Sequence, residues 1–449
     1  MGEELLARKG TCKFPDVFDA LVAVLLAQTR TNAAFTLIAR QDAFKIERAI
    51  DLVRQAQADS IFTDMWFSDL SKVSDRLIDA VCHESGVEPD IVQRLFSIED
   101  ATQSVESIVI YQRLIRLIEA VARMQAAFTE KAVELADVVR ASRRHMHEAA
   151  PDTWGRVFGA QAVAFDLEVA RLESLLESFT VCTLGSDISG AAYACEGEYQ
   201  QRLMQELQRE TGVPLCRPRS QAEPVEGSAL RLAVTGEMRL MHLGSELHAL
   251  AMIYAKIAHG FFIYGSGPKA GLAEITVPAI APGSTIMPGK INPSMPMLMI
   301  QIAEYVLASD QMSVYATNEM DFDTAWQTGG AMMTALEAIE ILTRGSDLFL
   351  DKCIRGFGVN AQTSRSHAHK SAASLRLVQQ ILGEEIANQV QKRFDAPSAD
   401  FSAMSAEVAD AVEQLLDVDR LAREGLDLNT LKRCFAIRDN HQTMGATGL

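Results

Sequence analysis

Residues 104–141 have the sequence SVESIVIYQRLIRLIEAVARMQAAFTEKAVELADVVRA, which contains neither glycine nor proline. Apolar side chains recur along it at steps of three and four residues, which places them on one face of an α-helix; they are Ile108, Tyr111, Leu114, Ile115, Ile118, Val121, Met124 and Phe128. A helix of this length cannot bury its apolar face within a small globule, so it must lie against other long helices. The segment therefore predicts an all-α protein organised around a helical bundle.

The same spacing extends over most of the chain. It predicts four more long helices, at residues 156–180, 229–264, 294–318 and 328–350. Nearer the N-terminus it predicts two helices within residues 14–60, with a turn near Gln41-Asp42, and a third over residues 70–84 that Gly86 closes. Little of the sequence alternates in the manner of a strand. We therefore predict an N-terminal helical domain (1–103), a central long-helix bundle (104–354) and a small C-terminal helical domain (355–449).

The composition limits the possible functions. The chain has 449 residues, 48% of them apolar, and a formal charge of −17, which argues against nucleic-acid binding. Its seven cysteines are scattered and form no CxxC pair, as expected for free thiols in a reducing compartment. The sequence has no signal-peptide pattern, and it predicts no uninterrupted apolar run long enough to cross a membrane. We expect a cytoplasmic protein without a membrane or nucleic-acid partner.

Residues 283–293, GSTIMPGKINP, differ from the helical segments around them. Glycine allows backbone angles that side chains forbid, and proline prevents a helix or strand from continuing, so the segment predicts a shaped loop. Ser284 can accept hydrogen bonds from loop N–H groups, Lys290 supplies a positive charge, and Asn292 supplies two donors and an acceptor. This set suits the binding of a carboxylate beside a reacting carbon. On composition alone, a connecting loop is an equally good interpretation.

A second unusual stretch is residues 142–151, SRRHMHEAAP, with two arginines and two histidines within six residues. It fits a basic helix end with solvated charges or, together with Lys290, an anion site. His145 and His147 are two residues apart and do not share a helical face, so we expect no metal here. By default, we assign three histidines to the surface: His147, His367 and His369.

Residues 283–293 resemble the signature loop GSSxMPxKxNP of the fumarase/aspartase superfamily, in its branch of aspartate ammonia-lyases and class II fumarases. Three further stretches resemble motifs of the same family in the same order. Residues 142–151 are similar to GRTHLQDAVP, residues 265–275 to SSGPRAGLxEI, and residues 352–360 to KCIxGIxAN, which opens the family's last domain. The resemblance extends from about residue 15 to about residue 390.

The resemblance implies a three-domain, all-α fold whose long central helices form a twenty-helix core in a homotetramer, with active sites shared between subunits. Members of the family eliminate an amine, amide or hydroxyl group from a succinyl compound and release fumarate. Carried over by position, Ser284 is the catalytic base, Lys290 and Asn292 bind a substrate carboxylate, and His145 keeps the place of the active-site histidine. The resemblance implies no cofactor and no metal.

The resemblance is weaker in the regions that recognise the rest of the substrate. Thr63 aligns with a substrate-binding threonine, but Asp64 and Trp66 replace the serine and asparagine beside it. Ser97 is retained in the next region, whereas Ile98-Glu99 replaces a Thr-Asn pair. A glutamate cannot take over from an asparagine that donates to a carboxylate, because the interaction would become repulsive. The pocket is therefore expected to differ in charge and volume from that of the family.

Two further replacements surround the histidine. Arg144 replaces the threonine that precedes it in the family motif. A guanidinium there can hold a carboxylate through two parallel hydrogen bonds, or it can pair with Glu99 or Asp64. Met297 replaces a glutamate that pairs with the active-site histidine in the family, so His145 is expected to lack that partner.

Three interpretations of the function remain open. The first is an active carbon-nitrogen lyase that removes ammonia or a substituted amine from an aspartate-like succinyl substrate that differs from plain aspartate or malate. The second is an ordinary aspartate ammonia-lyase or a fumarate hydratase with compensating changes. The third is a helical oligomer that has lost catalysis and acts as a binding or scaffold subunit. Retention of Ser284, Lys290 and Asn292 together favours an active enzyme.

Overall fold

The structure is a computed structural model of the chain, and it describes residues 15–56, 70–182, 184–185, 197–216, 228–281, 283–287, 289–318, 328–371, 373–395 and 404–446. Among the predicted site residues, Thr63 lies outside these ranges, and so do Asp64 and Trp66. The side chain of Glu99 also lies outside the described part. The pairing of Arg144 with Glu99 or Asp64 therefore stays a prediction.

The N-terminal part of the described chain is helical. Its elements are α1 (Pro15–Ala34), α2 (Arg40–Ala56), α3 (Leu70–Ser85) and the short α4 (Pro89–Val92). The turn between α1 and α2 comes at residues 35–39, a few residues before the predicted position. Gly86 follows α3 directly and closes it as predicted, with a φ of +64°, a left-handed angle that favours glycine.

Five long helices dominate the middle of the described chain, with a β-hairpin and shorter elements between them. In chain order the elements are α5 (Ile98–Glu134), β1 (Val139–Arg144), β2 (His147–Thr153), α6 (Trp154–Ser178), α7 (Glu198–Thr211), α8 (Ser228–Tyr264), β3 (Ile275–Thr276), α9 (Ser294–Asn318) and α10 (Thr328–Phe349). The bounds of α9 agree with the prediction, and those of α6, α8 and α10 agree within two residues.

Short helices make up most of the C-terminal part. A π-helical turn (Leu350–Ile354) leads to β4 (Gly358–Val359), α11 (Ala361–His369), α12 (Ala373–Leu382), α13 (Glu384–Asp395), α14 (Ala406–Leu416), α15 (Val418–Arg423) and α16 (Leu428–Ala446). Strands in the described chain form two antiparallel pairs, β1 with β2 and β3 with β4. The predicted all-α class is confirmed.

The chain divides into two compact units, and neither is continuous in sequence. The first unit consists of Met1–Ala122, Leu167–Ala255 and Leu298–Asp347. The second unit consists of Arg123–Asp166, Lys256–Met297 and Leu348–Leu449. The domain boundaries drawn from the sequence, after residues 103 and 354, stay a prediction.

Buried polar contacts join helices within the first unit. Gln28 Nε2 on α1 donates to the Tyr199 hydroxyl on α7 at 2.7 Å, and that hydroxyl donates to Asn32 Oδ1 at 2.6 Å. The Arg113 guanidinium on α5 donates to both carboxylate oxygens of Asp16, at 2.6 and 2.9 Å. Paired hydrogen bonds of this kind are stronger than single neutral ones, so they fix the start of α1 against α5.

Aromatic side chains form the centre of the second unit. The Phe357 ring lies 5.0 Å from the rings of both Phe158 and Phe261, measured between centroids. The Trp154 ring is buried beside Phe158, and its Nε1 donates to Ser364 Oγ at 3.0 Å. Such ring pairs contribute about 0.5–1.5 kcal/mol each beyond the burial of their surface. The cluster joins the start of α6, the end of α8 and α11.

The hairpin is the main departure from the sequence-based prediction. Helix α5 ends at Glu134 instead of residue 141. Residues 142–151 form the end of β1, the hairpin turn and most of β2 instead of a basic helix end. Strand β1 buries Val139, Arg140 and Ala141 in succession, and after a register shift the Arg143 side chain is again buried. The two buried arginines and the register shift hid the strand, because the prediction looked for apolar side chains at alternate positions.

By length and composition, one helix in the described part of the chain could cross a membrane. This segment of α8, Met238–Tyr264, corrects the sequence-based statement that no such run exists. Its inner face is that of a core helix, because a series of side chains at helical spacing is buried within the chain: Leu240, Leu243, Leu247, Leu250, Tyr254, Ala258 and Phe261. Length and composition alone therefore do not make it a membrane segment.

Candidate active site

The loop 283–293 folds back on itself just before α9. A Cβ placed on Gly283 would stand 1.9 Å from the carbonyl oxygen of Lys290, so only glycine allows this approach. Asn292 Nδ2 donates to the Gly283 carbonyl oxygen at 3.4 Å, which joins the two ends of the loop a second time. Gly289, with a φ of +77°, makes the return turn. The loop is therefore a closed, shaped structure, as its composition predicted.

The half-buried Ser284 lies at the start of this loop. Its Oγ accepts a hydrogen bond from the Ile286 backbone N–H at 3.2 Å. A donor aimed at the hydroxyl oxygen favours the deprotonated form, because it stabilises negative charge there. Lys290 is exposed and forms no ion pair with any described residue. The loop can thus present an oxygen acceptor and a free cation to a ligand.

The hairpin presents the other predicted basic residues. Its turn consists of His145 and Met146, whose φ angles are +49° and +67°. Two central residues with positive φ define the tight turn whose twist matches that of the flanking strands. Arg144, His145 and Met146 are exposed, and in the described part of the chain the side chains of Arg144 and His145 have no hydrogen-bond or ion-pair partner. Both side chains are therefore available to a ligand.

A buried ionic cluster lies behind this turn. The Arg143 guanidinium donates to both oxygens of Glu274, at 2.5 and 3.1 Å, and His367 Nδ1 lies 2.5 Å from Glu274 Oε1. Burial opposes the positive charge of Arg143, but the hydrogen bonds and negative charge of Glu274, helped by Tyr264, raise its pKa above the usual value. The prediction that His367 is a surface residue is wrong, because its side chain is only 25% exposed and contacts a fully buried carboxylate.

The sequence-based site prediction did not include Glu274 or Arg143. Both lie in stretches that resemble family motifs, at 265–275 and 142–151, so their positions carried a signal. The pairing itself could not be predicted, because the two residues are 131 positions apart in the sequence. Neither side chain is exposed, so neither is presented to a ligand at the surface.

Ser97, a predicted substrate-binding residue, caps a helix. Its Oγ accepts from the Asp100 backbone N–H at 3.3 Å, which satisfies one of the free N–H groups at the start of α5. Ser97 belongs to the first unit, whereas Ser284, Lys290 and the hairpin belong to the second.

An apolar cavity of about 170 Å³ lies elsewhere in the second unit. Its walls come from α6 and the end of α8 and include Phe158, Phe261, Lys256 and Tyr264. None of the predicted site residues lines it. Among the residues that the structure describes, no group of three or more His, Cys, Asp or Glu side chains could hold a metal ion.

Comparison with known proteins places the chain in a family. A family profile described as lyase matches residues 18–308, which is more than half of the chain. The chain belongs to this lyase family, within the fumarase/aspartase superfamily.

Individual relatives are distant. The chain is 28% identical over 277 residues to an aspartate ammonia-lyase of Bacillus subtilis, in a match that covers 62% of this chain and 56% of the relative. It is 29% identical over 277 residues to a class II fumarate hydratase of Mycobacterium tuberculosis, covering 62% of this chain and 57% of the relative. The matched part thus spans little more than half the length of these curated relatives.

Solved structures of the superfamily share the fold. The crystal structure of a Brucella melitensis protein described as fumarate lyase:delta crystallin superposes with a TM-score of 0.79 and covers 91% of each chain. The sequence identity is 22%, so this likeness concerns the fold alone.

Proposed function

We propose that the protein is a carbon-nitrogen lyase that eliminates ammonia or a substituted amine from an aspartate-like succinyl substrate and gives fumarate. The observation that carries this proposal is the loop 283–293. It keeps Ser284, Lys290 and Asn292 together, in a backbone that Gly283 closes against Lys290. A connecting loop needs neither this residue set nor such a close approach.

Ser284 acts as the base in the proposed reaction. Its deprotonated Oγ takes the proton from the carbon beside a substrate carboxylate, and the electron pair moves onto that carboxylate. The pair then forms the carbon-carbon double bond, while the carbon-nitrogen bond breaks and the amine leaves with its bonding electrons. The Ile286 N–H, 3.2 Å from Ser284 Oγ, and the positive charge of Lys290 both stabilise a negatively charged oxygen.

The carboxylate that accumulates negative charge needs donors around it. Lys290 supplies an ammonium group without a described competing partner, and Asn292 supplies an amide whose bond to Gly283 is long, at 3.4 Å. Interactions that strengthen as charge develops lower the barrier, because they bind the transition state more tightly than the substrate. We therefore assign both residues to this carboxylate.

The hairpin turn supplies the contacts to the rest of the substrate. Arg144 is exposed and lacks a described counter-charge, which favours a paired contact with the second carboxylate. His145 stands next to it and is the proposed partner of the leaving group. Thr63 and Ser97 complete the proposed binding set by their alignment with the family.

Two other functions each have an observation in their favour. The class II fumarate hydratase matches at 29% identity, close to the 28% of the ammonia-lyase, so addition of water to fumarate is the second candidate. Met297 is 46% exposed and offers His145 no carboxylate, which favours a binding or scaffold subunit without catalysis.

A homotetramer in the cytoplasm is part of the proposal. Large apolar side chains on the long helices are exposed in the single chain and would be covered by further copies of it: Val163, Leu167, Met252, Phe262, Leu307, Met312, Val314 and Tyr315. Sedimentation of the purified protein tests the assembly.

The substrate can be identified from both directions of the reaction. The purified protein is incubated with aspartate, malate and a set of N-substituted aspartates, and fumarate is followed by its ultraviolet absorbance. In the reverse direction, fumarate is offered with a panel of amines. Product from an amine substrate supports the lyase, product from malate alone supports the hydratase, and no product from any compound contradicts both.

A further inference from the structure

We propose that the buried ion pair of Arg143 and Glu274, with His367 on the same carboxylate, positions the hairpin turn that carries Arg144 and His145 for substrate binding. The inference rests on the proposed function for the role of the turn. It concerns residues that do not touch the substrate, so Arg143 and Glu274 are positioning residues.

The pair is built as a rigid, enclosed contact. Glu274 has no exposed side-chain surface and Arg143 only 3%, and two parallel hydrogen bonds connect them. Two planar groups joined in this way are fixed in orientation as well as in distance. Arg143 cannot rotate away without leaving a charge buried and unpaired.

Three separate elements meet at the Glu274 carboxylate. Arg143 belongs to β1, Glu274 immediately precedes β3, and His367 belongs to α11. The backbone of Glu274 is held as well, because its N–H donates to the Tyr264 carbonyl and its carbonyl accepts from the Asn360 N–H, both at 2.8 Å. The carboxylate is thus an anchored point to which β1 is attached.

The turn beyond this point has little support of its own. His145 and Met146 hold left-handed backbone angles without being glycine or asparagine, a conformation that surrounding structure must maintain. Their side chains are exposed. The base of the hairpin therefore has to maintain the geometry of its tip.

Neighbouring side chains on a strand point to opposite sides. Arg143 points inward to Glu274, and Arg144, the next residue, is exposed. A rotation of the strand that moved one guanidinium would move the other. The buried pair thereby sets the direction in which Arg144 is offered to a carboxylate.

The test uses two variants of the full-length protein. Glu274→Gln keeps the shape of the side chain and removes its charge. Because it removes the hydrogen-bonded counter-charge of the buried Arg143, Glu274→Gln can fail to fold. The double variant Arg143→Met/Glu274→Leu then replaces it, since apolar residues of similar volume commonly restore stability at such a pair. Glu148→Gln is the matched control: Glu148 is partly exposed and lies 3.7 Å from the same guanidinium.

Two readouts separate positioning from general stability. Hydrogen exchange of the hairpin amides, residues 139–153, is expected to accelerate at least about tenfold in the variants, while exchange in α12 and α14 is unchanged. KM for the amine substrate is expected to rise at least about tenfold, with kcat changed less than about threefold. Glu148→Gln is expected to match the wild type in both measurements.

Each outcome decides a separate point. Unchanged hairpin exchange in a folded variant overturns the positioning role, whatever the activity. Faster exchange with an unchanged KM overturns the link to substrate binding. If the wild type converts no succinyl compound, the proposed function fails, and the Kd of fumarate, measured by calorimetry, takes the place of KM. Equal Kd values in wild type and variant, or no binding by either, then overturn the link.

Discussion

The carbonyl oxygen of Lys290 lies against the backbone of Gly283, at 1.9 Å from the position that a Cβ on residue 283 would occupy. This contact places the backbone of Lys290 next to that of Gly283, the residue directly before Ser284. The proposed proton abstraction needs the base and the cation at fixed positions in the loop. The loop therefore depends on a glycine at its first position.

Gly283→Ala is expected to open the loop and to lower kcat/KM by at least about a hundredfold, because misplacing reacting groups by about 1 Å costs that much. The loop is exposed and buries little surface, so Tm should change little. Gly289→Ala is a useful comparison: it strains a positive φ, but its Cβ would meet nothing within 4 Å. Equal activity of Gly283→Ala and wild type would show that loop closure is irrelevant to function.

Arg144→Ala is expected to raise KM about ten- to a hundredfold, since a hydrogen-bonded pair with a charged group contributes about 1.5–3 kcal/mol. Arg144→Lys should recover only part of this loss, because an ammonium group cannot form two parallel bonds with a carboxylate. Steady-state kinetics with the identified substrate provide the measurement. The control is His147→Ala, which removes the exposed cross-strand neighbour of Arg144. A KM that stays constant in Arg144→Ala would exclude the proposed clamp.

Glu106 predicts a dependence of stability on pH. It is buried on α5, and burial raises its pKa to about 7 in spite of Arg239 at 3.7 Å. Because the folded-state pKa is above the unfolded value, the stabilising contribution is complete below about pH 4.5 and is lost as the pH rises through 7. The free energy of unfolding of the wild type should therefore fall between pH 5 and pH 8, by at most about 3 kcal/mol.

Glu106→Gln tests this origin of the pH dependence. The amide does not titrate, and Arg239 keeps its hydrogen bonds to the carbonyl oxygens of Ser178 and Val181. The measurement is denaturant unfolding at several pH values. As the pH rises, the free energy of unfolding of the variant should increase relative to that of the wild type. Parallel curves for the two proteins would mean that folding does not raise the pKa of Glu106.

The sequence predicted the long helices well because each is specified many times over. In α9, a run of 25 residues carries the same period, so single exceptions do not change the result. The hairpin rests on few residues. Its turn, His145-Met146, contains none of the glycine or asparagine that marks such turns, and the inward Arg143 replaces an apolar residue. The local sequence pattern therefore predicted a helix end where the chain forms a hairpin.

The candidate site was predictable to the extent that a short contiguous motif carries it. Ser284, Lys290 and Asn292 lie within nine residues of one another, and the loop folds on itself as its glycines suggested. The cluster of Arg143, Glu274 and His367 was not predictable, because its members come from distant parts of the chain. The role of the Glu274 carboxylate becomes visible only when the fold brings Arg143 and His367 to it.

The central claim is that Ser284 removes a proton from a succinyl substrate, and the most direct test is the rate of fumarate formation by wild type, Ser284→Ala and Thr285→Ala. Thr285 is exposed in the same loop, so its variant controls for disturbance of the backbone. We expect the wild type to turn over an amine substrate, Thr285→Ala to stay within about threefold of that rate, and Ser284→Ala to lose at least about a thousandfold. Equal rates for Ser284→Ala and wild type would contradict the claim, and so would the absence of product from every succinyl compound.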